Sequence, residues 1–186
     1  MTIIGITGKA RSGKDTLARI LLEMTPGAQQ MSFASPIREF VARLIGVTVD
    51  DLQDGPFKEA PLPELSGKSP RQMMQTLGTE WGRDLIDPDL WIKVARWELG
   101  TLEAIGVPLV VFSDVRFDNE AAMIRSLGGA IVHLSRGAAG EISTHVSEAG
   151  ISSFSELDLS VNNDGDLKQL KTRAREVLIA ATRRLT

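Results

Sequence analysis

Residues 2–24, TIIGITGKARSGKDTLARILLEM, constrain the fold more than any other stretch of the chain. TIIGIT is β-branched and apolar, as a strand buried on both faces must be. KDTLARILLEM places Leu17, Ile20, Leu21 and Met24 on one face of a helix. Between them, Gly8 to Asp15 follow the pattern G-x-x-x-x-G-K-[ST] up to its last place. There Asp15 stands, and the hydroxyl comes one residue later at Thr16. Gly8 and Gly13 permit backbone angles closed to other residues. A loop of this kind between strand and helix converges N–H groups on one anion at the helix N-terminus. Lys14 then reaches the outer phosphates of a nucleotide. Lys9 and Arg11 lie inside the loop, where Arg11 either covers the nucleotide or is a solvated basic residue.

The rest of the chain alternates strand and helix signals. QMSF at 30–33 reads as a strand, and SPIREFVARLIG as a helix with Ser35 as N-cap, Pro36 at the first helical position and Gly46 at its end. Residues 47–69 are rich in Pro, Gly and charge and read as an excursion with little regular structure. Further helices are expected over SPRQMMQTLGTEWG, from Ser69–Pro70, and over DPDLWIKVARWELGTLEAIG, from Asp87–Pro88. VPLVVFSD at 107–114, AIVHLS and DLSV read as strands, and DNEAAMIRSLGG as a helix. The last helix spans 166–185, with Leu167, Leu170, Ala174, Val177, Leu178 and Ala181 in one stripe. Such alternation implies α/β architecture, a parallel sheet covered on both faces. The polar run 135–150 between two strands is a candidate mobile lid.

Chemistry beyond the phosphate loop collects in three places. Asp114 and Arg116 fall at the carboxyl end of the 108–113 strand, where doubly wound sheets bind ligands. Asp114 suits a Mg²⁺-bound water and Arg116 an acceptor phosphate; an ordinary strand-end salt bridge is the plainer reading. Arg71, Gln72, Gln75 and Arg83 share a helix with Met73, Met74 and Leu77, the pattern of a half-buried helix with a solvated face. Trp81, Trp91 and Trp97 lie in the same half of the chain, and core burial is their expected fate. In the 135–150 loop, Arg136 could neutralise charge on a transferred phosphoryl group, while His145 and Glu148 brace the loop.

Composition narrows the field. The 186 residues carry no cysteine and two histidines, which excludes thiolate sites and disfavours a histidine metal site. A net charge of −3 argues against broad nucleic-acid binding. The start MTIIGITGK lacks a signal-peptide pattern, and no apolar run approaches membrane-span length. A cytoplasmic enzyme is the default expectation. On the residues alone, a small-molecule kinase acting on a nucleotide, on dephospho-coenzyme A or on a sugar acid fits, as does an ATP-binding regulatory module without an acceptor. Arg38, Arg71 and Arg116 argue for an acceptor phosphate.

The ordered set GKARSGKDT, FASPIRE, PRQMMQTLGTEWGR, DLW, SDVRFDNEAAMIRSLGGAIVHLSR, THVSEAG and VNNDGDLKQL resembles the bacteriophage deoxynucleoside monophosphate kinases, a branch of the phosphate-loop kinases. The resemblance covers nearly the whole chain and extends to Asp15 in GKDT, which is the family's own variant. It implies a three-layer α/β kinase fold with a five-stranded parallel sheet in the order 2-3-1-4-5. It also implies one kinase domain over 1–186, with an acceptor-side insertion and helix at 47–87 and a lid at 135–150. The implied chemistry is transfer from ATP, with Mg²⁺, to a deoxynucleoside monophosphate. Carried over by position, Arg11, Gly13, Lys14, Asp15 and Thr16 would bind ATP. Ile37, Arg38, Arg71, Gly78, Trp91, Asp114, Arg116 and Glu120 would face the acceptor. Lys14, Asp114, Arg116 and Arg136 would act in catalysis, with Asp15, Thr16 and Asp114 on the metal side. No membrane and no stable nucleic-acid partner is expected, and a homodimer is left open.

Overall fold

The computed structural model describes residues 1–53, 55–137 and 150–183. They form two compact units, Met1–Ser32 with Val94–Thr186, and Phe33–Lys93.

The first unit is built on five parallel strands: β1 (Thr2–Thr7), β2 (Gln29–Met31), β3 (Leu109–Phe112), β4 (Ala130–Ser135) and β5 (Leu159–Asn162). Their order is β2-β3-β1-β4-β5, as the resemblance implies. β1 lies at the centre, in register Ile4↔Val111 with β3 and Ile4↔Ala130 with β4. All six of its residues are buried, which is why it lacks the alternation of a one-sided strand. Ile4 and Ile6 pack with Leu17 and Leu21 of α1 (Lys14–Met24) and with Leu170 and Val177 of α7 (Leu167–Thr182). On the other face, a Cβ on Gly5 would lie 2.6 Å from Ile124 Cδ1, so glycine lets α6 (Asp118–Ser126) sit close on the sheet.

Helix ends follow local chemistry. Asp166 caps α7 by accepting the Gln169 N–H at 2.8 Å. The stripe of α7 is narrower than expected, because Leu167 in its first turn is 51% exposed.

The second unit opens with α2 (Ser35–Ile45), which ends on Gly46 at φ 72°. Ser35 is not its N-cap. Ala34 already has helical angles and holds that place without a side-chain hydrogen bond, so Ser35 begins the helix. The 47–69 stretch contains three single turns, at Asp50–Leu52, α3 (Pro56–Glu59) and Pro63–Leu65, and a Leu62–Lys68 bridge. α4 (Pro70–Gln75) begins with a capping box. Ser69 Oγ accepts from the Gln72 N–H, and Gln72 Oε1 accepts from the Ser69 N–H at 3.0 Å. α4 then widens into a π-helix over Thr76–Ile86 instead of continuing as an α-helix. Its last bond runs from the Asp87 N–H to Gly82 O, five residues back. Val41, Ala42 and Leu52 form this unit's small core with Met73, Met74 and Leu77. α5 (Leu90–Ala104) begins in the second unit and continues into the first.

The tryptophans depart from expectation. Trp91 is buried, but Trp81 is 45% and Trp97 83% exposed. Among the described residues no helix is long and apolar enough to cross a membrane.

Candidate active site

In the first unit the chemistry gathers after the carboxyl ends of the strands. β1 runs into the phosphate loop, β3 into Asp114 and Arg116, β4 into Arg136 and β5 into Asn163. The loop is shaped by three residues in the left-handed region: Gly8 at φ 150°, Arg11 at 63° and Gly13 at 100°. Gly8 is required twice over, since a Cβ there would meet Leu134 O at 2.2 Å. Gly13 is the N-cap of α1 and offers no side-chain acceptor. The first N–H groups of a helix have no partner within it, and here none is capped by the N-cap side chain. Asn163 closes the loop from behind, donating from Nδ2 to Ser12 O at 2.8 Å. It also lies where a Cβ on Gly13 would come within 2.4 Å of Nδ2.

Lys14 Nζ donates to Gly8 O at 2.7 Å and to Lys9 O at 2.9 Å, which lays the ammonium along its own loop. Asp15 is exposed in the first turn of α1, and Thr16 is half-buried beside it. Ser12 Oγ is buried without a hydrogen-bond partner, an orphaned hydroxyl inside the loop. Arg11 is exposed.

Asp114 is half-buried, and its Oδ2 accepts from Ser32 Oγ at 2.5 Å. Arg116 is oriented through its backbone: Glu120 Oε2 accepts the N–H groups of Arg116 at 2.8 Å and Phe117 at 3.1 Å. Glu120 is 2% exposed, so its carboxylate is a buried brace on the turn that carries Arg116. Arg136 is exposed. Its charge helps to hold the Asp164 carboxyl below the usual range, after the larger contributions of the Gly137 N–H and the Asn162 amide. Most of the proposed lid, with His145 and Glu148, lies outside the described residues.

Two further carboxylates join residues 150–158 to α6 and β4. Asp118 accepts from the Ser152 hydroxyl and from the N–H groups of Ser152 and Ser153. These bonds, led by that of Ser152 Oγ, lower its pKa to about 2. Asp158 is fully buried in its side chain and takes a bidentate pair from Arg125, at 2.6 and 3.1 Å, with His133 Nε2 at 2.9 Å. Burial alone would raise its pKa, but the bonds from Arg125, His133 and the Ser155 N–H outweigh that and lower it.

In the second unit Ile37, Gly78 and Trp91 form one contact cluster. Trp91 Nε1 donates to Gly78 O at 2.8 Å, and a Cβ on Gly78 would lie 2.9 Å from Ile37 Cδ1. A Cβ on Gly82 would lie 2.8 Å from the Trp91 ring, so both glycines of the π-helix are points of close approach. Arg38 is half-buried on α2, one residue beyond Ile37. Arg71 Nε donates to Glu59 Oε1 at 2.5 Å, which fixes the guanidinium. Ser32, Asn163 and Glu59 were not singled out from the sequence. Only their places after β2, after β5 and in the excursion could have flagged them.

The deoxynucleotide monophosphate kinase family model matches residues 64–174. A mimivirus protein, provisionally assigned as a deoxynucleotide monophosphate kinase, is 30% identical over 178 residues, covering 91% of this chain and 92% of that protein. The deoxynucleotide monophosphate kinase of Escherichia phage RB69 is 31% identical over 110 residues, 58% of this chain and 44% of its own length. The deoxynucleoside-5'-monophosphate kinase of Escherichia phage T5 is 24% identical over 181 residues, 66% of this chain and 71% of that one. With a phosphate loop at the head of α1 and a family match over most of its length, the chain belongs to the deoxynucleotide monophosphate kinase family.

Proposed function

We propose that the two units, residues 1–186, act as a single kinase domain that transfers the γ-phosphoryl group of ATP to a deoxynucleoside monophosphate, giving ADP and a deoxynucleoside diphosphate in the cytoplasm. The observation that carries this reading is the uncapped, left-handed Gly13 entrance to α1 with Lys14 beside it, in a chain of this family. An acceptor phosphate oxygen is already anionic at neutral pH, so no general base is needed. That oxygen forms a new bond to the γ-phosphorus, and the bridging β–γ P–O bond breaks with its electron pair leaving on ADP. Catalysis then consists of aligning two phosphates and neutralising their charge.

On this reading Arg11, Gly13, Lys14 and Thr16 hold the ATP phosphates. Arg116, Arg38 and Arg71 take the acceptor phosphate, Ile37, Gly78 and Trp91 wall the acceptor nucleoside, and Arg136 neutralises the transferring group. Glu120 is a positioning residue, because its carboxylate holds the turn bearing Arg116. The oxygens of Asp15, Thr16 and Asp114 are the hard donors that Mg²⁺ takes, and the orphaned Ser12 hydroxyl marks the loop as built for an anion. The donor types suit Mg²⁺, which, when bound, would neutralise charge on the transferring phosphates.

Measuring ADP formation with each dNMP and each ribonucleotide tests the proposal. ADP release that rises with added dNMP is the expected result. ATP binding without dNMP-stimulated ADP release overturns it in favour of a regulatory module.

A further inference from the structure

Among the described polar side chains on the helix from Pro70 to Ile86, one has a buried atom without a hydrogen-bond partner. Gln72 closes the capping box with Ser69, Arg71 pairs with Glu59, and Arg83 donates to Pro88 O at 3.2 Å. Gln75 Nε2 is buried and has no hydrogen-bond partner among the described residues. A buried donor left unpaired costs free energy that an apolar residue of the same shape avoids. Helix propensity does not explain the choice either, since methionine serves equally well.

The position of Gln75 says what would complete it. Gln75 stands four residues after Arg71, so the two share one face of α4, and Gly78 follows three residues later in the π-helix. Arg71 to Gln75 is a step of about 6 Å along the axis, the scale that separates phosphate from base in a nucleotide. Gln75 is also the last α-helical residue before the π-helix, a rare geometry frequent at functional sites. A neutral carboxamide is a poor phosphate ligand but a good reader of base edges, where it donates and accepts in one plane. The Trp91 N–H is already bonded to Gly78 O and cannot do this. Gln75 as a whole is only half-buried, and its terminal torsion is soft, so the amide can turn outward with the helix fixed.

We propose that Gln75 is a specificity residue whose Nε2–H donates to an acceptor atom on the base of the deoxynucleoside monophosphate. The assignment rests on the acceptor reading of Arg71 and Gly78 above.

The test uses the full chain with Gln75→Met and Gln75→Glu. In Gln75→Met, kcat/KM for dNMPs falls about 10-fold or more, KM for ATP is unchanged, and the melting temperature holds or rises because a buried unpaired group is gone. In Gln75→Glu a donor becomes an acceptor, so the preference for dCMP (an exocyclic amine) over dTMP (a carbonyl at the same place) rises by about 10-fold. Calorimetric titration of dCMP and dTMP into each variant reads the same ratio without turnover, and melting curves verify folding. Wild-type turnover of dNMPs with variants of unchanged affinity and unchanged dCMP:dTMP ratio overturns the assignment of Gln75 alone. Wild-type protein that turns over no dNMP overturns the kinase reading, and this assignment with it.

Discussion

The loop from Gly8 to Lys14 and the helix from Pro70 to Ile86 both depend on glycine, for different reasons. In the loop the need is conformational as well as steric: Gly8 and Gly13 hold positive φ, and Arg11 follows them there. In the helix Gly78 and Gly82 need no unusual angle. What matters is the missing Cβ, because Ile37 and the Trp91 ring occupy the space a methyl would fill. The loop makes its site from backbone, so a short motif encodes it. The π-helix makes its surface from packing between distant residues, so no local pattern reveals it.

The sharpest break between the two is Lys14→Ala. The lysine supports no core, and its ammonium donates to the Gly8 and Lys9 carbonyls of its own loop. Phosphoryl transfer should fall by at least ~3 kcal/mol of barrier with little change in melting temperature. A variant that kept near wild-type kcat would falsify the proposed mechanism. Arg116→Ala should act on the other substrate. Loss of a charge-assisted contact predicts a KM for dNMP about 10- to 100-fold higher, with ATP affinity nearly unchanged. An equal loss of ATP affinity would move Arg116 to the donor side.

Gly82→Ala turns on the sign of a stability change. Helix propensity alone says alanine should stabilise by up to about 1 kcal/mol. The close Trp91 ring says that it should destabilise by about 1–3 kcal/mol, since a rigid indole cannot step aside. Gly78→Ala should cost less, because Ile37 Cδ1 is the end of a flexible side chain. Denaturant midpoints of the two variants decide, and a stabilised Gly82→Ala would mean that the π-helix is not held open by this contact.

The same contrast explains what was legible. The strands, the phosphate loop, the ends of α1 and the start of α6 follow from periodicity and turn chemistry, and the strand order was implied by the family resemblance. The π-helix escaped because no local residue pattern in Thr76–Ile86 marks bonding five residues back. The ring packed closely on it, Trp91, comes nine residues after Gly82. Exposure of Trp97 escaped because composition favours burial of tryptophan and says nothing about which face of α5 is covered. Of the candidate site, the residues that stand in motifs could be named from the sequence. The side chains that hold them, Ser32 on Asp114, Glu59 on Arg71 and Asn163 behind Gly13, could not, because their roles depend on contacts 12 to 151 residues away in sequence.

Asp15 gives a smaller effect with a diagnostic sign. If its carboxylate binds the metal of the nucleotide, Asp15→Asn weakens Mg²⁺-ATP binding and leaves metal-free ATP binding unchanged or improved. If it only complements the dipole of α1, the change is a stability loss of about 0.3–1 kcal/mol with no metal dependence. ATP titrations with Mg²⁺ and with a chelator separate the two.

The smallest expected effect concerns Asp118, and here pH supplies the test. Its folded pKa is lowered from 3.8 to about 2 by the Ser152 hydroxyl and the Ser153 N–H. A group depressed in the folded state stabilises fully above its unfolded pKa. That contribution is lost as pH falls from 3.8 through about 2, where the carboxylate takes up its proton in both states. Asp118 is exposed, so solvent screening keeps the contribution below about 1 kcal/mol. Asp118→Asn should therefore melt slightly lower than wild type from neutral pH down to about pH 5. The gap should narrow through the acid range and close near the folded pKa. Asp158 provides the contrast within the same unit: its carboxylate is buried and held by Arg125, so Asp158→Asn should cost more, about 3–5 kcal/mol, at neutral pH. If the Asp118 gap stayed constant down to the lowest pH at which both proteins fold, its bonds to Ser152 and Ser153 would not depend on charge, and of these two carboxylates Asp158, paired with Arg125, would carry the charge-dependent anchoring of residues 150–158.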